Sequence, residues 1–505
     1  MRFLLIAFFL LPFTMVRGQS LTADTIEELS NQYFMEGIDQ LIEFLHIPNY
    51  GGNPADIENN RKWLHNVFTE LEYELITMNS AGVDHLFAEK IINPDKPTIL
   101  FYLQIDGQPV DSTQWNQESP FIPVLKECIN DNCTEIDREK LNYGYNPDWK
   151  IFARSASDSK GPAIAFIQSL QILQDQGLEP AFNIKVIMDF QEELGSPTLP
   201  KLVERNPQIF DADALLIMDG TRPPGNLPTL TFGARGIATM KLTVFGPKNN
   251  LHSGQYGNFA PNPVFDLSRI LASMKDENGK VLIPGFYDGI ELSDAYKDLI
   301  NRVPVDRDEL LSTLGISVAE HVGDTYQEAL QYPSLNVRGL RAAWTGEEVR
   351  TIIPAEAIAE IDMRLVPETP GEQQVQKVIG HIEGLGYKVL DRDPTDEERR
   401  IHDKLIKVEY RIGSLPFKTP LDSPLGDWLG DAMDHVFGEG NYYRMQNTGG
   451  SQPIAPFIST LGIPAISVRI PNPDNSIHAP NENLRLGNFK EGLMMCLGIL
   501  TTAYE

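Results

Sequence analysis

The stretch VIMDFQEELGSPTLP sets Glu192 and Glu193 side by side between an apolar run and a Gly-Ser-Pro turn. Three further acids share this local setting. Asp106 closes the apolar segment of FYLQIDGQP, Asp158 precedes the Lys-Gly-Pro of RSASDSKGP, and Asp219 ends LLIMDG. His478 stands in NSIHAPNE, just after the apolar segment PAISVRI. Carboxylates crowded at strand ends repel one another unless something neutralises them, and a divalent cation does so directly. Oxygen ligands with one imidazole suit zinc or manganese, with cobalt acceptable, and the chain has no CxxC or Cys-rich module to bind metal through thiolates. Taken singly, each acid is equally explained as a helix cap or a turn residue; the set as a whole points to metal. Of two adjacent glutamates at a strand-to-turn transition, one can ligate while its neighbour handles protons.

Such acids need strands to carry them. TILFYLQID, FNIKVIMDF and ADALLIMDG read as buried strands, and GPAIAFIQSLQILQDQ and TLPKLVERNPQIF as the helices between them. Continuous apolar strands alternating with helices predict a three-layer α/β domain, with polar chemistry beyond the carboxyl ends of the strands. From about Phe232 the texture changes. GARGIATMKLTVFG and EAIAEIDMRLVP alternate as half-buried strands, each followed by a helix, NPVFDLSRILASM and GEQQVQKVIGHIEGL. A smaller α+β domain over residues 233–404 is therefore expected as an insertion between catalytic segments 19–232 and 405–505.

With 505 residues and 42% hydrophobic content, the chain is long enough for two or three ordinary cores. Its formal charge of −28 excludes nucleic acid and anionic membrane as partners, since both require clustered Lys and Arg. In MRFLLIAFFLLPFTMVRGQS one Arg precedes an apolar core, and small residues stand before Gln19, the pattern of an export signal over residues 1–18. An N-terminal anchor is the alternative; no later segment is apolar for long enough to span a bilayer. A secreted or periplasmic location follows. Cys128 and Cys133 in KECINDNCTE form either a small disulfide loop or two free thiols, while Cys496 in LMMCLGIL reads as inert core.

The chain resembles the M20 family of metallopeptidases, and within it the carnosinase-type dipeptidases, through QIDGQPVD, WNQESPF, SDSKGP, EELGS, TFGARGIATMKLTVFGPKNNLHSGQYG, LNVRG, TIIPAEAIAEIDMRLVP, TGGSQPIAPF and IHAPNENLRL. The resemblance covers nearly everything after residue 25. It implies a two-metal catalytic domain with an inserted lid that also forms a homodimer contact, and one or two zinc ions, or manganese or cobalt, as cofactor. Position by position, it makes Asp158 the bridging carboxylate, Glu193 and His478 further ligands of one ion, and Asp219 the terminal carboxylate of the other. Glu192 matches the general base, and Asp106 the acid that orients a ligand. His252 matches a lid histidine that reaches the partner subunit's site, and Arg364 a lid arginine for the substrate carboxylate. Gly450 and Ser451 match a loop that closes over substrate. Four positions depart from the pattern. Gln104 stands where the family has a ligand histidine, which weakens or removes that ligand; Ser159 stands where an acid or amide is common; and Thr448 and Gln452 flank the glycine loop where an acid and a non-Gln residue are usual.

The chemistry so implied is amide hydrolysis. A divalent cation lowers the pKa of bound water and polarises the scissile carbonyl, Glu192 moves the proton, and His252 stabilises the developing oxyanion. Dipeptides or other short peptides are the expected substrates. N-acyl amino acid deacylation or carboxypeptidase action uses the same chemistry, and Gln104 keeps open a peptide- or metal-binding protein without turnover. His46, His65, His85, His321, His381, His402 and His435 lack ligand spacing and read as structural or solvated.

Overall fold

A computed structural model of the chain describes residues 21–129 and 132–504. The export signal assigned to residues 1–18 lies outside the described residues. A mixed sheet of eight strands runs in the order Glu74–Ser80, Val83–Lys90, Asn183–Asp189, Thr98–Gln104, Ala214–Ile217, Ala465–Arg469, Thr229–Thr231 and Tyr443–Met445. The four strands from Asn183–Asp189 through Ala465–Arg469 are mutually parallel, so their carboxyl ends open at one edge.

The strand Thr98–Gln104 shows why helices cover both faces. Ile99, Phe101 and Leu103 point into one core with the helices Phe34–Leu45, Lys160–Asp175 and Leu486–Thr501. Leu100 and Tyr102 point the other way, into a second core with Leu199, Leu202 and Ile454. Each such side chain gains roughly 1.5–3 kcal/mol from leaving water. A sheet apolar on both faces needs two helical layers, and the three-layer α/β expectation is met.

The smaller unit is built differently. Its sheet runs Ser334–Arg341, Glu356–Leu365, Gly236–Phe245, Leu405–Ile412 and Lys388–Leu390. Ala238, Met240, Leu242 and Val244 alternate inward and pack against the helices Pro263–Met274 and Gly371–Gly384 through Leu267, Ile270, Val375 and Val378. The second face carries no helical layer of this core, which is why these strands alternate in sequence. The strand Leu405–Ile412, assigned from sequence to the returning catalytic segment, pairs along Gly236–Phe245 instead. The smaller sheet therefore continues to Ile412; an alternating strand carries no mark of which sheet it joins. Just beyond, Gly233–Ala234 pairs antiparallel with Phe417–Lys418, so the chain enters and leaves this unit side by side.

A four-stranded sheet of Asn483–Arg485, Lys150–Phe152, Val124–Ile129 and Asn132–Glu135 completes the body. Cys128 and Cys133 face each other across its last pair and form a disulfide. Cys496 is a buried free thiol. No helix among the described residues is long and apolar enough to cross a membrane.

Candidate metal centre

The parallel strands deliver their acids to one place. Gln104 ends its strand and Asp106 follows two residues later; Glu192 and Glu193 begin a short 3-10 turn after Asn183–Asp189; Asp219 follows Ala214–Ile217. Asp158 precedes the helix Lys160–Asp175, and His478 arrives on the loop after Ala465–Arg469. Gln104, Asp158, Glu192, Asp219 and His478 line one cleft of about 370 Å³ with Gly450, Ser451, Gln452 and Arg469.

At one end, His478 Nε2 lies 2.9 Å from Asp158 Oδ2 and 3.3 Å from Glu193 Oε2. The three ligand atoms offered by Asp158, Glu193 and His478 fall within 4.8 Å of one another. The hydrogen bond to Asp158, and then that to Glu193, push His478 up to about 10. Burial pushes Asp158 up to about 7, against the His478 hydrogen bond. Behind this group, buried Glu482 fixes the Asp158 loop. Its carboxylate accepts the N–H groups of Ser155, Ser157 and Asp158, each at 2.9 Å, and Arg154 Nη1 at 2.7 Å. Lys160 does not neutralise the cluster: Nζ is turned into the core, donating to the Phe44 and Ile47 carbonyls at 2.8 Å.

Asp106 holds the glutamate turn from below. It accepts the N–H of Glu192 at 2.8 Å and that of Glu193 at 3.2 Å, so its hydrogen bonds go to this turn rather than to Gln104. Burial, then the charges of Asp189 and Glu193, keeps Asp106 well above the usual carboxylate range. Burial and the charges of Asp219, Asp158, Glu193 and Asp106 do the same for Glu192. A deeper layer supports the turn. Buried Asp189 accepts Tyr102 Oη at 2.8 Å, the Gln191 N–H at 3.0 Å and Ser196 Oγ, while His85 Nε2 meets Thr198 Oγ1 at 2.7 Å.

The other end of the cleft is arranged around Asp219. Ser159 Oγ donates to Asp219 Oδ1 at 2.5 Å, and Gln452 Nε2 donates to Oδ2 at 3.2 Å. Ser467 Oγ fixes Gln452 by donating to its Oε1 at 3.2 Å. Gln104 is 1% exposed and its Nε2 has no hydrogen-bond partner among the described residues. Arg469 is buried beside this group; burial brings its guanidinium down to about 10, with Asp219 acting the other way.

Of the remaining candidates, Arg364 lies on the lid strand Glu356–Leu365 and donates from Nη1 to Ser451 Oγ at 3.0 Å, which ties the smaller sheet to the glycine loop. Arg235 adds a second cation there. Its N–H donates to the Gly450 carbonyl at 3.1 Å, and its guanidinium, lowered to about 10 by burial and then by Arg364, leaves Nε unpartnered. His252 is exposed, caps Gly254 N–H through Nδ1 at 3.1 Å, and does not line the cleft. Sequence reasoning missed Glu482, Arg154, Asp189, Arg235 and Arg469. Glu482 and Arg235 lie inside quoted motifs, but Glu482 stands between two asparagines and Arg235 in a Gly-Ala-Arg-Gly run, and nothing in PAISVRI set Arg469 apart from a solvated strand end.

Asp158, Glu193 and His478 suit a divalent cation, with two carboxylates and one imidazole converging in an anionic pocket. Gln104, Asp158 and Asp219 suit a second one poorly, since one ligand is a neutral amide and Asp219 is already engaged on both oxygens.

The chain is 27% identical over 409 residues to a Cys-Gly metallodipeptidase of Schizosaccharomyces pombe, covering 80% of this chain and 79% of that one. It is 27% identical over 415 residues to the human Beta-Ala-His dipeptidase, covering 81% and 75%. Among solved structures, an M20 family metallo-carboxypeptidase of Sulfolobus solfataricus superimposes with a TM-score of 0.74 at 26% identity, covering 92% of this chain and 99% of that one. A sequence profile described as Peptidase family M20/M25/M40 matches residues 100–502. That match spans both the strand-end acids and the inserted sheet, and the chain belongs to peptidase family M20/M25/M40, as an enzyme of metal-dependent peptide-bond hydrolysis related to dipeptidases.

Proposed function

We propose that the protein hydrolyses the amide bond of dipeptides or short peptides in this cleft, with one divalent cation, zinc or else manganese or cobalt, held by Asp158, Glu193 and His478. The observation that carries the reading is the convergence of those three ligand atoms within 4.8 Å, with Glu192 lining the same cleft. The ion would supply Lewis acidity and an acidified water. Glu192 takes a proton from the attacking water and returns it to the amine nitrogen as the C–N bond breaks. Its raised proton affinity, from burial and four nearby carboxylates, suits a group that must hold and then release that proton. Asp106 keeps the carboxylate aimed by fixing the backbone on either side of it.

Arg364 and Arg235 form the anchor for the substrate carboxylate. Two guanidinium groups close enough to repel each other, at the rim formed by Gly450 and Ser451, are relieved by an anion between them. The similarity to Cys-Gly and Beta-Ala-His dipeptidases supports a small substrate with a free carboxylate. A second reading, deacylation of N-acyl amino acids, is favoured by Thr448, which gives the cleft a neutral hydroxyl at the glycine loop rather than an acid to pair with a free amino terminus. Turnover of Ala-Gly against N-acetyl-glycine with added zinc or manganese separates the two. Hydrolysis of neither compound, nor of any peptide in a dipeptide panel, would leave only a binding role.

We further propose a homodimer formed through the smaller unit. The strand Ser334–Arg341 is an edge strand, and Phe259, Phe265, Leu340 and Trp344 are exposed large apolar side chains on that unit. A partner copy would let His252 serve the opposite cleft. Export is supported by the leader of residues 1–18 and the Cys128–Cys133 bridge, which belongs in an oxidising compartment. Sedimentation of the mature chain tests the dimer; fractionation of expressing cells tests export.

A further inference from the structure

We infer that Arg469 provides the fixed positive charge that a second metal ion would otherwise supply, so that this cleft holds one divalent cation and not two. The inference rests on the metallohydrolase reading above and adds to it the identity of the group that closes the second position.

Topology puts Arg469 there. Ala465–Arg469 runs parallel to Ala214–Ile217 with Ser467 beside Ile217, so two residues further on Arg469 comes alongside Asp219 at the mouth of the cleft. Its guanidinium is held in place. Nε donates to Thr231 Oγ1 at 2.5 Å and Nη1 to the Thr221 carbonyl at 3.0 Å. The group lies flat against Gly220, where a Cβ would sit 2.4 Å from Nη1 and 2.7 Å from Cζ. Gly220 also has φ +101°, a conformation that L side chains rarely adopt. Any other residue after Asp219 would displace the cation.

Three further side chains complete the replacement. Ser159 and Gln452 donate to the two oxygens of Asp219, and Gln104 presents a neutral amide in place of a ligand lone pair on imidazole. Donors now face the carboxylate whose lone pairs a cation would need. An ion at this position would meet one carboxylate already hydrogen-bonded, one shared with the first position, and a buried guanidinium repelling it. At the first position Gln108 Nε2 donates to Glu193 Oε2 at 2.7 Å and Ser159 Oγ to Asp158 Oδ1 at 3.2 Å, but the third ligand there is an imidazole rather than a neutral amide.

The test is a metal count on the full chain. After chelator treatment, the protein is dialysed against zinc, and separately against manganese, and bound metal is measured by mass spectrometry. One tight ion per chain is expected, and Asp219→Asn should leave that number at one. Two tight ions in the unaltered protein, or loss of an ion on Asp219→Asn, would overturn the inference while leaving the hydrolase reading intact. No ion at all would overturn both. The double variant Gln104→His, Arg469→Met should gain a second ion; if it stays folded by circular dichroism and still holds one, Arg469 is not the group that excludes it. Gln104→His, Gln452→Leu retains the Arg469 charge and should remain at one ion, and a second ion there would assign the exclusion to Gln452 instead.

Discussion

The two ends of the cleft are made from the same kind of element and reach opposite chemical states. Around Asp158, Glu193 and His478, two carboxylates share one imidazole, with the Gln108 amide donating to Glu193 and the Ser159 hydroxyl to Asp158, and no guanidinium among the described residues reaches them. Around Asp219, a hydroxyl, an amide and a guanidinium surround a single carboxylate. Both ends lie beyond the strands of one sheet, so position in the fold does not distinguish them. The balance of donors and acceptors does: an excess of acceptors calls for a cation, while a matched set closes on itself.

The sharpest way to break the comparison is to remove the imidazole. His478→Ala should abolish both tight metal binding and peptide hydrolysis, and a variant that retained its ion would show that the acids alone suffice. Glu192→Gln should slow turnover by ~10²–10⁴-fold while the metal count and the circular dichroism spectrum stay unchanged, which separates proton handling from ligation. Arg364→Ala, which removes a charged hydrogen-bond donor worth about 1.5–3 kcal/mol, should act mainly on KM, by on the order of 10–150-fold. An equal loss in kcat would mean that it orders the glycine loop instead.

Stability measurements probe what holds the acceptor-rich end together. Glu482→Gln leaves Arg154 buried without its counter-charge and should cost about 3–5 kcal/mol in denaturant unfolding. A cost near zero would show that the loop relaxes around an amide, whose nitrogen can donate but not accept, and that Arg154 does not need the counter-charge. The smallest effect expected is on pH. Burial lowers His85 below its ordinary value, against the charge of Asp189. The unfolded chain therefore binds the extra proton first, so stability is full above about pH 6.5 and falls as pH drops below it, by at most ~1.4 kcal/mol per pH unit. His85→Gln should flatten that part of the profile.

Much of this was legible in the chain. Glu192 and Glu193 announced themselves because a charged pair directly after VIMDF has no reason to sit at the end of a buried strand. The same mismatch marked Asp219 and Asp106. His85 reads from sequence as a structural or solvated histidine, and the structure buries it; its place beside Asp189 is not visible in the chain, because neighbouring strands contribute the two residues. The strand Ser334–Arg341 escaped notice because most of its residues are exposed and supply no apolar alternation. Leu405–Ile412 falls within the segment 405–505 expected to belong to the catalytic domain but pairs along Gly236–Phe245, since periodicity reports burial of a face and not the identity of a neighbour.

By itself the sequence determined which segments are strands covered on both sides, which are covered on one, and where charged groups leave the core. Those are local consequences of hydrophobic spacing. Only the tertiary structure decided that Asp158, Glu193 and His478 meet while Asp219 is met by Ser159, Gln452 and Arg469. Residues far apart in the chain become neighbours through the order of strands in a sheet, and that order is set by the packing of the whole core rather than by any one segment.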